Sequence, residues 1–437
     1  MSYKRYKEKM KTKNKKNYLK QNGITLIALV VTIVVLLILA GVSLNAIFSE
    51  NGIIKRAKDA QNKMDQATQN DLDALNGLNE LIDSKTNETT GGNNNPSTTP
   101  KVSTLVGTVV DKNTKAEDAY GNKITIPKGF KILAHSENTT TGDVTYTYSG
   151  DNIPAVQDGI VIENGTDGNQ FVWVPVGTIK NKDNTTNTIT LGRYEFDSST
   201  GVLTSTTPVQ VASVENCTKV VTISKNDVVF QELSTAREGN SATDSTAQSA
   251  TARKLEEFIS TTLANGGYYI ARYEASGTTE KVTSKYDQTV LTNITQSNAA
   301  KLAREMYGEV KENNELAYAS DLVNSYAWDT AIIFIQTYST GTDASTYASK
   351  NKSTSFAKTG INNDKYCNIW DMSGNACEWT TEYSTKSGGR KFYPCVSRGG
   401  YYTADFGGAS DFTSSRNVSI TTDSLSFLGL RPLLYIK

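Results

Sequence analysis

Between Ile24 and Phe48 the chain reads ITLIALVVTIVVLLILAGVSLNAIF, an apolar run without a formal charge. As a helix rising about 1.5 Å per residue it is long enough to cross a hydrocarbon core. The preceding segment carries Lys4, Arg5, Lys7, Lys9, Lys11, Lys13, Lys15, Lys16 and Lys20 against the single acid Glu8. The positive-inside tendency therefore keeps residues 1–23 cytoplasmic and exports the chain beyond the span. Ile53, Ala57, Ala60, Met64 and Ala67 then recur at three- and four-residue steps, and Leu75, Leu78 and Ile82 resume the stripe. This predicts one transmembrane and stalk helix over residues 24–83, mostly solvated beyond the membrane. The Gly, Asn, Thr and Pro content of residues 84–102 marks a flexible linker.

From residue 103 the pattern shortens to β-rich runs, TLVGTVV, KITIPKGFKILA, VTYTYSG and GIVIEN, separated by Gly, Asn, Asp and Pro. They make residues 103–164 a β-rich lead-in region. Helical periodicity returns in ATARKLEEFISTTLANGG, closed by Gly266, and in SNAAKLAREMYGEV, with Ser297 as N-cap. In SYAWDTAIIFIQTY, Trp328, Ala331, Ile332 and Ile335 fall at helical spacing and predict a core helix. SKNDVV and REGNSATDSTAQSATARK read as surface loops. The predicted class is α+β: an N-terminal transmembrane and stalk helix, then a loop-rich domain.

Composition narrows the chemistry. The 45 basic and 45 acidic residues cancel, giving no argument for a nucleic-acid partner. His135 is the only histidine, which removes multi-histidine metal sites; it reads as an exposed loop residue at a strand end. Cys217, Cys367, Cys377 and Cys395 show no CxxC spacing, which argues against a zinc ribbon or a thioredoxin-like pair. For an exported segment, pairing among Cys367, Cys377 and Cys395 is expected, although four cysteines allow three complete connectivities.

The basic segment ending in Gly23 and followed by ITLIALVVTIVVLLILAGV resembles a type IV prepilin leader. The resemblance implies a prepilin peptidase that cuts after Gly23 and methylates Ile24, and pilin-like subunits as partners. Ala28 departs from it, standing where that family has a glutamate used in filament assembly.

Four later stretches come in a telling order: NQFVWVPVG at 169–177, YYIARYEAS at 268–276, NIWDMSGNACEWTTEY at 368–383 and SRGGYY at 397–402, closing with FLGLRPLLYI. They resemble the formylglycine-generating enzyme, or sulfatase-modifying factor, family over residues 165–437. That resemblance implies a C-type lectin-like fold, with Arg398 and Arg431 as buried scaffold residues. It also implies calcium held by Asn375 and Glu378; a hydrogen-bonded turn with Trp379 in the core is the alternative. Oxidising members hold copper(I) between two cysteines soon after an RGGS turn, but here YYTADFGGASDFTSSRN contains no cysteine, and Ala404 and Ala409 stand about where the ligands would fall. Copper is not expected, and Cys377 reads as a buried small hydrophobe.

The expected function is therefore a membrane-tethered or pilin-like bacterial surface protein displaying a non-catalytic binding domain toward an extracellular ligand. Tyr401, Tyr402, Asp405, Phe406, Ser410, Asp411 and Phe412 combine aromatic anchors with adaptable polar groups and form the expected ligand-binding face. The variable proteins of diversity-generating retroelements place their changeable positions in the analogous stretch. The competing readings are a copper-dependent oxidase that converts cysteine to formylglycine and a structural minor pilin.

Overall fold

A computed structural model of the chain describes residues 30, 31, 34, 99–137, 144–147, 153–197, 200–215, 223–225, 228–232, 249–312, 315–338, 355–362, 364–388, 391–402 and 412–437. Gly23, Ile24, Ala28, Cys217 and nearly all of the predicted span, stalk and linker lie outside them. Val30, Val31 and Val34 are helical. Among the described residues no helix is long and apolar enough to cross a membrane.

The elements that position the site are, in chain order, β1 (Phe130–Glu137), β2 (Val144–Thr147), β3 (Val161–Asn164), β4 (Gln170–Pro175), β5 (Ile223–Lys225), β6 (Val228–Glu232) and α1 (Leu255–Asn265). Next come β7 (Gly267–Ala271), α2 (Gln296–Glu305), β8 (Glu309–Glu312), β9 (Glu315–Leu322), α3 (Ser325–Tyr338) and β10 (Cys377–Ser384). The last are β11 (Cys395–Arg398), β12 (Arg416–Ser419), β13 (Leu428–Leu430) and β14 (Pro432–Ile436).

Near-continuous apolar runs in β4, β7 and β14 mark strands covered on both faces, and these three lie side by side in an eight-stranded sheet, β8-β9-β14-β7-β4-β3-β1-β2. Every pairing in it is antiparallel. Trp173 and Tyr269 sit opposite each other across β4 and β7, edge to face at 4.9 Å. Strand alternation sends the neighbouring Tyr268 to the other face, against Phe258 of α1, where its hydroxyl donates to the Ala327 carbonyl of α3. A second sheet runs β5-β6-β10-β11-β12, antiparallel, with β13 joined to β10 in parallel. The domain is mostly β and loop-rich.

Several expectations need correction. The start of TLVGTVV, Thr104 and Leu105, lies in a short 3-10 turn over Val102–Leu105 instead of a strand, and Gly107 at φ 73° turns the chain away from an extended path. His135 is half-buried inside β1 opposite Tyr146, not in a loop. Thr295, not Ser297, caps α2: its extended backbone lets Oγ1 accept from the Asn298 N–H at 3.3 Å. In SKNDVV, Ser224 and Lys225 belong to β5 and Val228 and Val229 to β6, and Val228 and Phe230 alternate inward to pack with Ile223 and Val396. The β-rich region 103–164 contributes β1, β2 and β3, which join the same sheet as β4, within a unit spanning Asn95–Lys437. The other helical expectations match: α1 ends at Gly266, left-handed at φ 71°, and α3 is buried from Ser325 to Ile335.

Candidate functional site

The stretch DMSGNACEW folds as a corner because three of its residues accept left-handed backbone: Asp371 at φ 56°, Gly374 at 95° and Asn375 at 59°. Asn375 then works in four directions. Its Oδ1 accepts from the Ala357 N–H at 2.9 Å, and its Nδ2 donates to Glu274 Oε2 at 2.5 Å and to the Ala357 carbonyl at 3.3 Å. Its own carbonyl accepts from the Tyr402 N–H at 3.0 Å, while the Gly374 N–H reaches the Gly399 carbonyl at 2.7 Å. The corner thus pins residues 355–357 on one side and the RGG turn on the other. Gly399 is at φ 95°, and a Cβ there would sit 3.3 Å from the Met372 carbonyl and the Trp328 ring. Replacing Gly399 by alanine is expected to cost about 1–3 kcal/mol, read as a lower denaturant midpoint at unchanged slope.

Beneath the corner lies a group of acids. The Arg431 guanidinium faces both oxygens of Glu378, at 2.7 and 3.1 Å, and donates to the carbonyls of Ala271 and Trp370 at 2.9 Å and of Asp371 at 3.2 Å. Glu274, Asp364 and Asp371 are buried nearby. Burial pushes Glu274 well above the usual carboxylate range, and the charges of Asp371 and Glu378 add to the rise. Burial and then Asp371 do the same to Asp364. Burial lifts Asp371, and it lifts Glu378 to about 7 against the pull of Arg431. Four carboxyl groups around one guanidinium must share protons near neutral pH.

The Arg431 guanidinium faces both Glu378 oxygens, and Asn375 Oδ1 accepts from a backbone donor, so a calcium ion at the expected pair would compete with these partners for its six to eight oxygens. Among the described residues no cluster of three or more His, Cys, Asp or Glu is placed to hold a metal.

A second charged group surrounds the far end of β10. Glu382 meets Arg193 at 2.6 Å, Arg416 at 2.9 Å and Arg398 at 3.1 Å; Asp329 of α3 meets Arg398 at 2.5 Å and Arg416 at 2.7 Å. Asp329 also accepts from the Tyr194 N–H at 2.9 Å, and Arg193 donates to Gln210 at 3.1 Å. Burial alone would raise Glu382, but Arg416, Arg398 and Arg193 together hold it down to about 2. Arg398 ends β11, Arg416 begins β12, and the two are register partners. The same two buried carboxylates therefore fix both ends of the segment between them.

Of the expected ligand-binding residues, Tyr401, Tyr402 and Phe412 are described and half-buried. Tyr401 stacks on Phe427 at 4.6 Å, Tyr402 packs on Phe356 at 4.4 Å, and the Phe412 N–H donates to Ser415 Oγ at 3.2 Å. Asp405, Phe406, Ser410 and Asp411, with Ala404 and Ala409, lie outside the described residues. No disulfide joins Cys367, Cys377 and Cys395, which corrects the expected pairing. Cys395 is the register partner of Tyr383, while Glu378, next to Cys377, is that of Arg398, so the two thiols sit at different positions along the β10–β11 pair. Burial pushes the Cys377 thiol up to about 12 and the Cys395 thiol upward as well.

A family model described as the sulfatase-modifying factor enzyme 1-like domain matches residues 163–434. The chain belongs to that family. In this sulfatase-modifying factor-like chain, the match covers both charged groups and the corner between them, while β1 and β2 precede it. Among solved structures, Treponema denticola variable protein 1 is 11% identical, covering 61% of this chain and 96% of that one at a TM-score of 0.29. CarF is 16% identical, covering 39% and 87% at 0.25, and the Major Tropism Determinant U1 variant is 13% identical, covering 77% and 98% at 0.24. No curated protein matches. Sequence motifs place Arg398 and Arg431 in the scaffold but miss Arg193, Glu274, Asp329, Glu382 and Arg416, which carry no local signal beyond being charges in otherwise apolar or short segments.

Proposed function

We propose that the chain is a membrane-tethered, pilin-like protein of the bacterial surface, whose sulfatase-modifying factor-like domain serves as a non-catalytic, C-type lectin-like binding module. The observation that carries this reading is the clamp on both ends of the 399–415 segment. Arg398 and Arg416 share Asp329 and Glu382 in a buried frame, and no cysteine follows Arg398. A rigid frame that presents a Tyr-, Ser-, Gly- and Asp-containing loop is the arrangement recognition surfaces use. The family's oxidative chemistry needs thiolates that this stretch lacks. The basic leader, Gly23, Ile24 and the apolar run after them support the tether and its processing by a prepilin peptidase.

Copper(I) titration of the full chain against a competing chelator, followed by incubation with a cysteine-containing sulfatase-motif peptide, tests the non-catalytic reading. The expected result is no stoichiometric tight binding and no aldehyde in the peptide by mass spectrometry. Copper held at one equivalent together with aldehyde formation would replace the binding reading with the oxidase reading. Labelling intact cells with a membrane-impermeant amine reagent tests display: lysines of residues 101–437 should react, and protection of all of them would overturn it.

A further inference from the structure

We infer that the edge hairpin β5–β6 is a proton-controlled latch, docked on β10 while the Glu232 carboxyl is protonated and loosened when it ionises. The hairpin holds β10 through three register pairs, Phe230 with Ser384, Gln231 with Tyr383 and Glu232 with Glu382. The last sets two carboxyl groups opposite each other, 1% and 0% exposed. Like charges directly opposite are unfavourable on any sheet, and a low local dielectric strengthens the repulsion.

The two acids are treated differently by their surroundings. Glu382 is held by Arg193, Arg398 and Arg416, and behind it Asp329 takes the remaining contacts of Arg398 and Arg416. Glu232 has no ion-pair partner among the described residues. Facing it are Thr381 of β10, whose hydroxyl donates to Oε1 at 2.7 Å, and Ser325 of α3, whose N–H donates to Oε2 at 2.7 Å. Ser325 Oγ is beside the carboxyl and buried, and it makes no other hydrogen bond among the described residues. A serine hydroxyl both donates and accepts, so it can meet either form of the Glu232 carboxyl, and the choice between the forms falls to burial and the facing Glu382. Burial lifts Glu232 from near 4.5 to about 7, the Ser325 N–H and the Thr381 and Ser325 hydroxyls oppose the rise, and Glu382 adds to it.

The direction is set by linkage. Between roughly pH 4.5 and 7 the docked hairpin keeps a proton that the released hairpin gives up, so docking weakens about tenfold per pH unit and levels off once both forms are ionised. The latch operates whether or not residues 403–411 take a partner.

Hydrogen–deuterium exchange of the full chain from pH 5 to 8, corrected for the intrinsic exchange rate, reads the latch directly. Peptides covering residues 223–232 should lose protection on the order of a hundredfold between pH 5 and 7, while peptides covering β7 keep theirs. Glu232→Gln should abolish the slope, because its amide can accept from the Ser325 N–H and donate to Ser325 Oγ at every pH. Flat protection of the hairpin in the natural chain, or an equal slope in Glu232→Gln, overturns the inference. If that variant does not fold, the contrast between the hairpin and β7 in the natural chain decides alone.

Discussion

Replacing Glu382 by alanine is expected to destabilise the domain by about 3–5 kcal/mol, the cost of breaking a buried ion-pair network by removing one partner. The side chain is fully buried, and its oxygens receive Arg193, Arg398 and Arg416. Without it, three guanidinium groups are left with Asp329 and Gln210. Arginine does not release its proton, so the excess charge stays in place, and lowering the pH brings no rescue. In the natural chain the depressed Glu382 contributes stability that is present above the ordinary value near 4.5 and is lost as the pH falls toward about 2. Guanidinium denaturation at pH 5.0 and 7.5 should show the deficit at both values. A loss below about 1 kcal/mol, the range of an exposed pair, would mean that the network does not hold the loop ends.

Replacing Arg431 by methionine should have a comparable effect near neutral pH but the opposite dependence on acid. The substitution leaves Glu378 unpaired and removes the donor to the carbonyls of Ala271, Trp370 and Asp371. An uncompensated buried charge of this kind costs about 3–5 kcal/mol. Carboxylates, unlike arginines, can take up a proton. Glu378 already stands at about 7 with Arg431 beside it, and Glu274, Asp364 and Asp371 are also raised. For groups whose folded values are raised, the stability they contribute is present below the ordinary value near 4.5 and is lost as the pH rises through the folded value. The Arg431→Met deficit should therefore shrink as the pH is lowered from 7.5 through 6 to 5. Denaturant midpoints of the two proteins at these three values check it, and a deficit that is constant across them would show that the acids do not share protons around Arg431.

The two variants separate the halves of β10. Its start sits among acids that can be neutralised, and its end sits among arginines that cannot. The corner and the RGG turn lie between these two groups. Asn375 and Glu378 are built into this scaffold: one closes the corner with backbone partners and the other pairs with Arg431.

How much was legible in the chain varied with the range of the interaction. Local periodicity placed α1 and α3 and the Gly266 stop, because a helix face and a left-handed cap are decided within a few residues. It missed the β5–β6 hairpin, since the polar face of SKNDVV is what a sequence window sees, while the apolar partner Val396 is far along the chain. It separated residues 103–164 from the rest, because nothing in short strands announces which neighbour they pair with. The cysteine expectation failed for a similar reason: export permits pairing, but which thiols meet is set by long-range packing, and no disulfide joins Cys367, Cys377 and Cys395.

By itself the sequence determined the basic N-terminal segment and the apolar run after it, the order of family motifs from residue 169 onward, and the lack of a cysteine in residues 399–437. These are properties of composition and order, which folding does not change. Only the tertiary structure decided which charges meet. Arg193 finds Glu382 across 189 positions, Arg431 finds Glu378 across 53 and Arg398 finds Asp329 across 69. Such pairs are set by strand register and by the docking of α3, and a buried charge is stable only where that long-range geometry supplies its partner.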